Sequence, residues 1–309
     1  MRIAVLCATR RGYLFLKQLT ELMPKEDLLV FSFQEQTWEP PFFEQIRDYT
    51  VAKGGQFLQA KQVGDQRFSL FWESTVVDLM FVVSWRYLIP ASIYRRARLG
   101  TFVFHDSLLP EYRGFAPTLW AMINGEDHSG VTLFEISEKV DAGDVVEQVR
   151  IPIGADDTIA LVMERVTQSY LDLLARNLEG LINGTAPRYP QADSRATYTC
   201  KRLPEDNQID WSASSTTIHN LIRAVSFPYP GAYTHLCGQR MRVWSAQRLP
   251  DAFHYTGRIP GRVVAVKPGR GSVVLTGDDA LLLTEVQMDG GEVLCASELL
   301  TSLSQTLGR

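Results

Sequence analysis

The stretch VFHDSLLPEYRGFAPTLWAMINGEDHSGVTLFEISEKVDAGD, residues 103–144, decides how the rest of the chain is read. The apolar run 101–104 has the composition of a buried strand and delivers His105 into a turn-rich segment, where Pro110 and Gly114 bracket Tyr112 and Arg113. After Pro117, residues 118–124 have the length of a short helix closed by Gly125. A second buried-strand pattern covers 131–136, and the polar loop 138–144 carries Asp141 beside Ala142 and Gly143. Both strands are expected to end on one sheet edge, presenting an imidazole and a carboxylate where open α/β folds place their sites. From spacing alone, the pair reads equally well as a capped core histidine and a turn aspartate.

At 309 residues, with 45% hydrophobic and 21% charged positions, the chain has the material for one large or two medium domains with sizeable cores. A net charge of -4 and an isoelectric point near 5.8 supply no attraction for nucleic acid. No apolar run approaches the roughly 20 residues that span a bilayer. The opening Met1-Arg2-Ile3-Ala4-Val5-Leu6 reads as a strand, too short for a secretory h-region, so the cytoplasm is the expected location. Cys7, Cys200, Cys237 and Cys295 form no CxxC pair and read as reduced thiols, with no metal site.

Outward from the central stretch, residues 3–7, 28–33 and 76–84 read as strands and 12–23 as a helix, a parallel-sheet, Rossmann-like pattern. The turn Thr9-Arg10-Arg11-Gly12 lacks a dinucleotide or NTP fingerprint; Arg10 and Arg11 are either solvated charges or, one of them, a contact for an anionic ligand. Trp85, Arg86, Tyr87, Leu88 and Ile89 close an apolar strand before Pro90, either as a cover for the sheet edge or as a ligand loop. Residues 158–181 carry apolar positions at three-and-four spacing and read as one long helix. A polar, proline-bearing stretch to about residue 194 is the expected linker, dividing the chain into 1–190 and 191–309. Beyond it, Ser214, Ser215 or Thr216 caps a helix over 217–225. Short strands over 232–236, 241–246, 261–266, 272–275 and 281–286 suggest a small OB-like barrel.

His105-Asp106-Ser107-Leu108-Leu109-Pro110, Tyr112-Arg113-Gly114, Gly130-Val131-Thr132 and Val140-Asp141-Ala142-Gly143-Asp144 together resemble the signature of the folate-dependent formyltransferases. Pro204-Glu205-Asp206, Ile209-Asp210-Trp211, Ile222-Arg223-Ala224 and Pro230-Gly231-Ala232-Tyr233 extend the resemblance into the family's C-terminal domain. The pattern is closest to sugar-nucleotide N-formyltransferases such as the UDP-4-amino-4-deoxy-L-arabinose formyltransferase domain, although Phe115 stands where those enzymes favour arginine. The resemblance implies 10-formyltetrahydrofolate as co-substrate, held by Trp85 to Ile89 with Ser137, Val140 and Asp141, and a nucleotide-linked amino sugar as acceptor. Arg10, Tyr112, Arg113, Arg202 and Tyr229 are the candidates for acceptor contacts; Arg113 is equally a loop anchor to backbone carbonyls. A homodimer is the expected assembly.

Formyl transfer to an amine requires a group that takes the amine proton, a donor for charge building on the formyl oxygen, and a proton for the leaving nitrogen. His105 suits the proton work, and Asp141, if close, favours its charged form. The family carries an asparagine two residues before the histidine, on the same strand face by the period of two. Val103 occupies that place here and has no donor. Losing one such donor costs about 2.7–4 kcal/mol, on the order of 10²–10³ in rate, so a substitute or a different outcome is required. Protonated His105, the Tyr87 hydroxyl or an ordered water could substitute, whereas ionised Asp106 only accepts hydrogen bonds. The family's 10-formyltetrahydrofolate hydrolases also carry an apolar residue there, which makes water an alternative acceptor. A methionyl-tRNA formyltransferase and a catalytically lapsed binding protein are the further alternatives.

Overall fold

Strand β1 (Arg2–Cys7) is buried along almost its whole length, the mark of a strand covered on both faces. The chain is described here by a computed structural model covering residues 1–249 and 254–308. Helix α1 (Thr9–Leu22) follows, then β2 (Asp27–Ser32), α2 (Phe43–Ala52), β3 (Gln56–Gln59), α3 (Ser69–Ser74), β4 (Leu79–Val83), α4 (Ala91–Tyr94) and β5 (Thr101–His105). A two-residue strand β6 (Arg113–Gly114), helix α5 (Pro117–Asn124), β7 (His128–Glu135), β8 (Val145–Pro152), helix α6 (Ile159–Asn183) and β9 (Tyr198–Thr199) come next. Helix α1 thus begins three residues before the predicted start, and α6 matches the predicted long helix closely.

The chain divides into two compact units. The first comprises Met1–Pro117, Ser129–Ile151 and Glu164–Thr199, the second Thr118–His128, Pro152–Met163 and Cys200–Arg309. In the first, seven strands lie in the order β3-β2-β1-β4-β5-β7-β8. The pairs from β3 to β5 are parallel, and β7 runs antiparallel to its neighbour β5. This is the expected mostly parallel, Rossmann-like sheet. Because β1 is followed on one side by β2 and on the other by β4, the strand order reverses between β1 and β4, and that crevice is where such sheets bind ligands.

Alternation sorts the sheet's side chains into two layers. Leu6, Phe31, Met80 and Val82 join Trp72, Phe68 and Ile93 on one face, with Val103, Trp85 and Ile89 packed against that cluster. On the other face, Phe15 of α1 meets Phe81 and Phe104 edge-on at 5.4 and 5.1 Å. Tyr170 of α6 stacks on Phe104 at 5.0 Å. Each such aromatic pair contributes about 0.5–1.5 kcal/mol beyond its buried area. The helices therefore fix β4 and β5, the strands nearest the site, from both sides.

In the second unit Ser214 caps helix α7 (Ser215–Val225) by accepting the Thr217 N–H. The strands are β10 (Ala232–Leu236), β11 (Gln239–Arg248), β12 (Val263–Lys267), β13 (Gly271–Leu275), β14 (Ala280–Met288) and β15 (Val293–Cys295), before the short helix α8 (Ala296–Leu299). They pair antiparallel in the order β10-β11-β14-β13-β12, with β15 added on β14. Among the described residues this pairing leaves β10 and β12 as its two ends. No described helix is long and apolar enough to cross a membrane.

Asp78, just before β4, ties the N-terminal strand to the sheet. Its carboxylate accepts the Arg2 backbone N–H at 2.7 Å and pairs with Arg98 at 2.6 Å. The Arg2 bond, against the opposing effect of burial and with help from Arg98, holds the carboxyl below its usual range. A lowered folded-state value means stability that is complete above the unfolded carboxylate value, about 3.9, and lost as pH falls through the folded one. Asp78→Asn should therefore lower the melting temperature most near neutrality. The gap to the parent should narrow as pH drops below about 4 in a calorimetric series.

Candidate active site

His105 ends β5 on the same face as Val103, while Phe104 and Asp106 alternate to the other. Asp106 is accordingly drawn to α1 and α6: it accepts two bonds from Arg11 Nη1 at 2.7 and 2.9 Å and one from the Tyr170 hydroxyl. That places both Asp106 oxygens with partners of its own, away from the oxyanion role considered from the sequence. His105 itself is 8% exposed.

The two histidine nitrogens have different neighbours. Nε2 lies 2.8 Å from the Tyr112 carbonyl oxygen, which can only accept, so Nε2 carries the hydrogen. Nδ1 faces Asp141 Oδ2 at 3.7 Å, beyond hydrogen-bond length. The same Oδ2 accepts the Gly114 backbone N–H at 2.8 Å. At rest the carboxylate is thus held by backbone and stands opposite the nitrogen that has a free lone pair in the neutral ring.

The expectation that both strand ends share a sheet edge is corrected by the register. His105 pairs with Thr132 and Phe102 with Glu135, so antiparallel β7 ends at the opposite edge from His105. An apolar run carries no direction, and the sequence therefore could not show this. The carboxylate reaches the imidazole instead through the loop 136–144. That loop is tightly folded: Asp141 sits at φ 49°, in the left-handed region. At Gly143 a Cβ would lie 1.7 Å from the Glu135 carbonyl oxygen, so only glycine fits.

The loop of Trp85 to Ile89 follows β4 at the strand-order reversal, beginning after Ser84 at φ 53°. Trp85 and Tyr87 pack edge-on against Phe33 at 5.2 and 5.0 Å. Arg86 is engaged with Glu39, with one bond of 2.8 Å. Leu88 is 80% exposed, and Ile89 joins the apolar cluster with Val103. Trp85 Nε1 is a buried donor with no hydrogen-bond partner among the described residues. In the opposite loop, the Ser137 hydroxyl bonds the Lys139 carbonyl at 3.1 Å and Val140 is exposed.

Of the residues considered for an acceptor, Arg10 makes an exposed ion pair with Glu164 at 2.6 Å. Tyr112 meets His105 through its carbonyl rather than its ring. Arg113 is 1% exposed and bonds Gln191, Asp193 and Tyr198. Burial works against its charge, but the bonds to Asp193 and Tyr198 outweigh it and raise its pKa. Arg202 and Tyr229 belong to the second unit; Arg202 stacks on Trp120 at 5.0 Å and donates to the Asp206 carbonyl and Asn207. Arg11, read as a solvated charge or an anion contact, is instead buried against Asp106, and Gln191 and Tyr170 are contributors that the sequence left without a role. Gln191 falls in the stretch read as a linker, and no residue pattern marks it.

A histidine and an aspartate facing each other in a Rossmann-like sheet, beside the strand-order crevice, define an α/β protein with a site suited to proton transfer. The formyl transferase family model matches residues 18–178, and the formyl transferase C-terminal domain matches 202–304. The chain belongs to the formyl transferase family.

Among solved structures it is similar to HypX from Aquifex aeolicus in complex with tetrahydrofolic acid, at 21% identity and a TM-score of 0.64, covering 97% of this chain and 47% of that one. The chain thus spans about half the length of HypX. It is also similar to WlaRD, a sugar 3N-formyl transferase solved with dTDP and 5-N-formyl-THF, at 16% identity and a TM-score of 0.66, covering 92% and 97%. An N-formyltransferase from Helicobacter canadensis, complexed with folinic acid and dTDP-3-aminofucose, matches at 15% identity and a TM-score of 0.66, covering 91% and 98%. At these identities the likeness is one of fold.

Gly143→Ala should displace the loop that carries Asp141. Overpacking of this kind costs about 1–3 kcal/mol, and it should appear as a lower denaturation midpoint at unchanged slope. A midpoint equal to the parent's would show that the loop has room to relax.

Proposed function

We propose that the chain transfers a formyl group from 10-formyltetrahydrofolate to the amine of a nucleotide-linked amino sugar. The observation that carries this reading is the histidine whose Nε2–H is tied to Tyr112 while Nδ1 faces Asp141 across 3.7 Å. Family membership and the folate and dTDP-sugar ligands of the similar structures support the choice of donor and acceptor.

The loop of Trp85, Arg86, Tyr87, Leu88 and Ile89, with Ser137, Val140 and Asp141, would hold the folate. A planar, heteroatom-rich ring suits this loop, because it offers an acceptor to a donor such as Trp85 Nε1, which is costly to leave unpaired. When bound, the folate supplies the formyl group. His105 Nδ1 takes the proton released as the acceptor nitrogen forms its bond to the formyl carbon, and Asp141 faces the resulting imidazolium. The proton is then returned to the folate nitrogen as its bond to that carbon breaks. Within the first unit, Arg10, Tyr112 and Arg113 remain the acceptor-contact candidates, Arg113 chiefly through the loop it anchors. We further place the protein in the cytoplasm as a homodimer, with an OB-like C-terminal unit.

Val103 favours a second reading, in which water replaces the amine. It packs with Trp85 and Ile89 and offers no hydrogen bond to the formyl oxygen. UDP-, dTDP-, GDP- and CMP-linked amino sugars incubated with the donor separate the two. A formylated sugar, about 28 Da heavier, establishes the first reading; folate release at the same rate without any sugar establishes the second.

Val103→Asn should restore a donor beside His105. Transfer should rise about tenfold or more, within the range that one preorganised donor supplies. An unchanged or lower kcat would show that another group already serves the formyl oxygen.

A further inference from the structure

The loop bearing Asp141 enters from the wrong end of β7, so something besides the strand must set where its carboxylate stops. Two contacts do so. Gly114 N–H holds the side chain at 2.8 Å. Gln191 Nε2 holds the backbone, donating to the Asp141 carbonyl at 2.9 Å and to the Gly143 carbonyl at 2.7 Å. The other end of the same amide, Oε1, accepts Arg113 Nη2 at 2.7 Å and Nε at 3.2 Å.

Arg113 immediately precedes Gly114, and its own N–H bonds the Thr197 carbonyl at 2.9 Å. It is fully buried, donates to Asp193 at 2.8 Å, and sits in the short β6–β9 pairing with Tyr198. Gln191 therefore joins, through one side-chain amide, the loop after His105 to the loop that carries Asp141. All these residues lie in the first unit.

We infer that Gln191 is a positioning residue for Asp141, acting with Arg113 to set the gap between Asp141 and His105 Nδ1. The inference rests on the reading of His105 and Asp141 given above. The bonds of Gln191 go to Arg113 and to backbone carbonyls, not to the His105 ring or the Asp141 carboxylate. An amide is required because the contact needs a donor pair for two carbonyls and an acceptor for a guanidinium at once. Leucine supplies neither, and glutamate keeps the acceptor but loses the donors.

Turnover of 10-formyltetrahydrofolate is followed as tetrahydrofolate release, with the panel sugar that the parent accepts or, if there is none, with water. Gln191→Leu and Gln191→Glu should each lower kcat about tenfold to a hundredfold, the scale of a displacement near 1 Å. The KM for the folate should stay within about twofold, since a lost positioning contact acts on the reacting geometry. In an Asp141→Asn background the same changes should have almost no further effect on kcat, because two residues acting through one contact are not additive. Hydrogen exchange should show faster exchange of the Gly114 amide in both variants, with the β1 and β4 amides unchanged. This measurement decides the matter where Asp141→Asn falls below detection or Gln191→Leu does not fold.

A parent-like kcat, an equal loss in both backgrounds or unchanged Gly114 protection would overturn the role of Gln191. His105→Ala separates this from the wider reading. Parent-like turnover in that variant would overturn the His105 assignment and this inference together. Abolished turnover beside a parent-like Gln191→Glu would remove only the role of Gln191.

Discussion

The bond from the Gly114 N–H to Asp141 Oδ2 joins two loops that leave the sheet at opposite edges. Everything at the site depends on that meeting. One loop continues from His105 and returns its Tyr112 carbonyl to Nε2; the other comes from the far end of β7 and turns back through Asp141 in the left-handed region. Gly114 lies at φ 107°, and a Cβ there would stand 2.5 Å from the Thr199 carbonyl, so the donor can be placed only by glycine. A side chain at either Gly114 or Gly143 would separate the carboxylate from the imidazole.

The meeting is supported from the two faces of the sheet by different physics. On the face of Val103 and His105 the support is apolar, the cluster of Phe31, Trp72, Val82 and Ile93. On the other, beside the packed rings of Phe15, Phe81 and Phe104, an ionic group is added: Arg11, Asp106 and Tyr170 lock the residue after His105 to α1 and α6, and burial drives the Tyr170 hydroxyl well above its ordinary range. With pKa so high, that hydroxyl stays protonated and keeps donating to Asp106 and to the Phe104 carbonyl. Removing one member would leave a buried charge partly unpaired, which costs far more than the pair is worth as a whole. The position of His105 is therefore protected by groups that never face the site.

The layered sheet was legible because parallel strands covered on both faces read as continuous apolar runs, as at 3–7 and 76–84. Helix α6 was legible from its three-and-four spacing, and the cap of α7 from the cluster of small hydroxyl residues before it. His105 and Asp141 stood out because their residue types carry chemistry at turn-rich strand ends. What was not legible depends on direction or on backbone partners. The antiparallel run of β7 leaves no trace in composition. Gln191 works on carbonyl groups, which every residue has, so nothing in its neighbours announces it. Tyr112 was a candidate for acceptor contact, yet its carbonyl is what meets the histidine.

Val103 gains its meaning from these constraints. An asparagine at that place would sit on the same face as His105, but Nε2–H of His105 is already given to Tyr112 and Asp106 is held by Arg11 and Tyr170. Under the proposed function, the hydrogen that His105 acquires on Nδ1 is one that can reach a developing negative oxygen, beside any donor the Trp85 to Ile89 loop supplies. A ring that takes the acceptor's proton also becomes the donor for the charge that the same step creates. That double duty asks for a carboxylate that faces Nδ1 without claiming its hydrogen. A separation of 3.7 Å, with the carboxylate tied to Gly114, meets that condition.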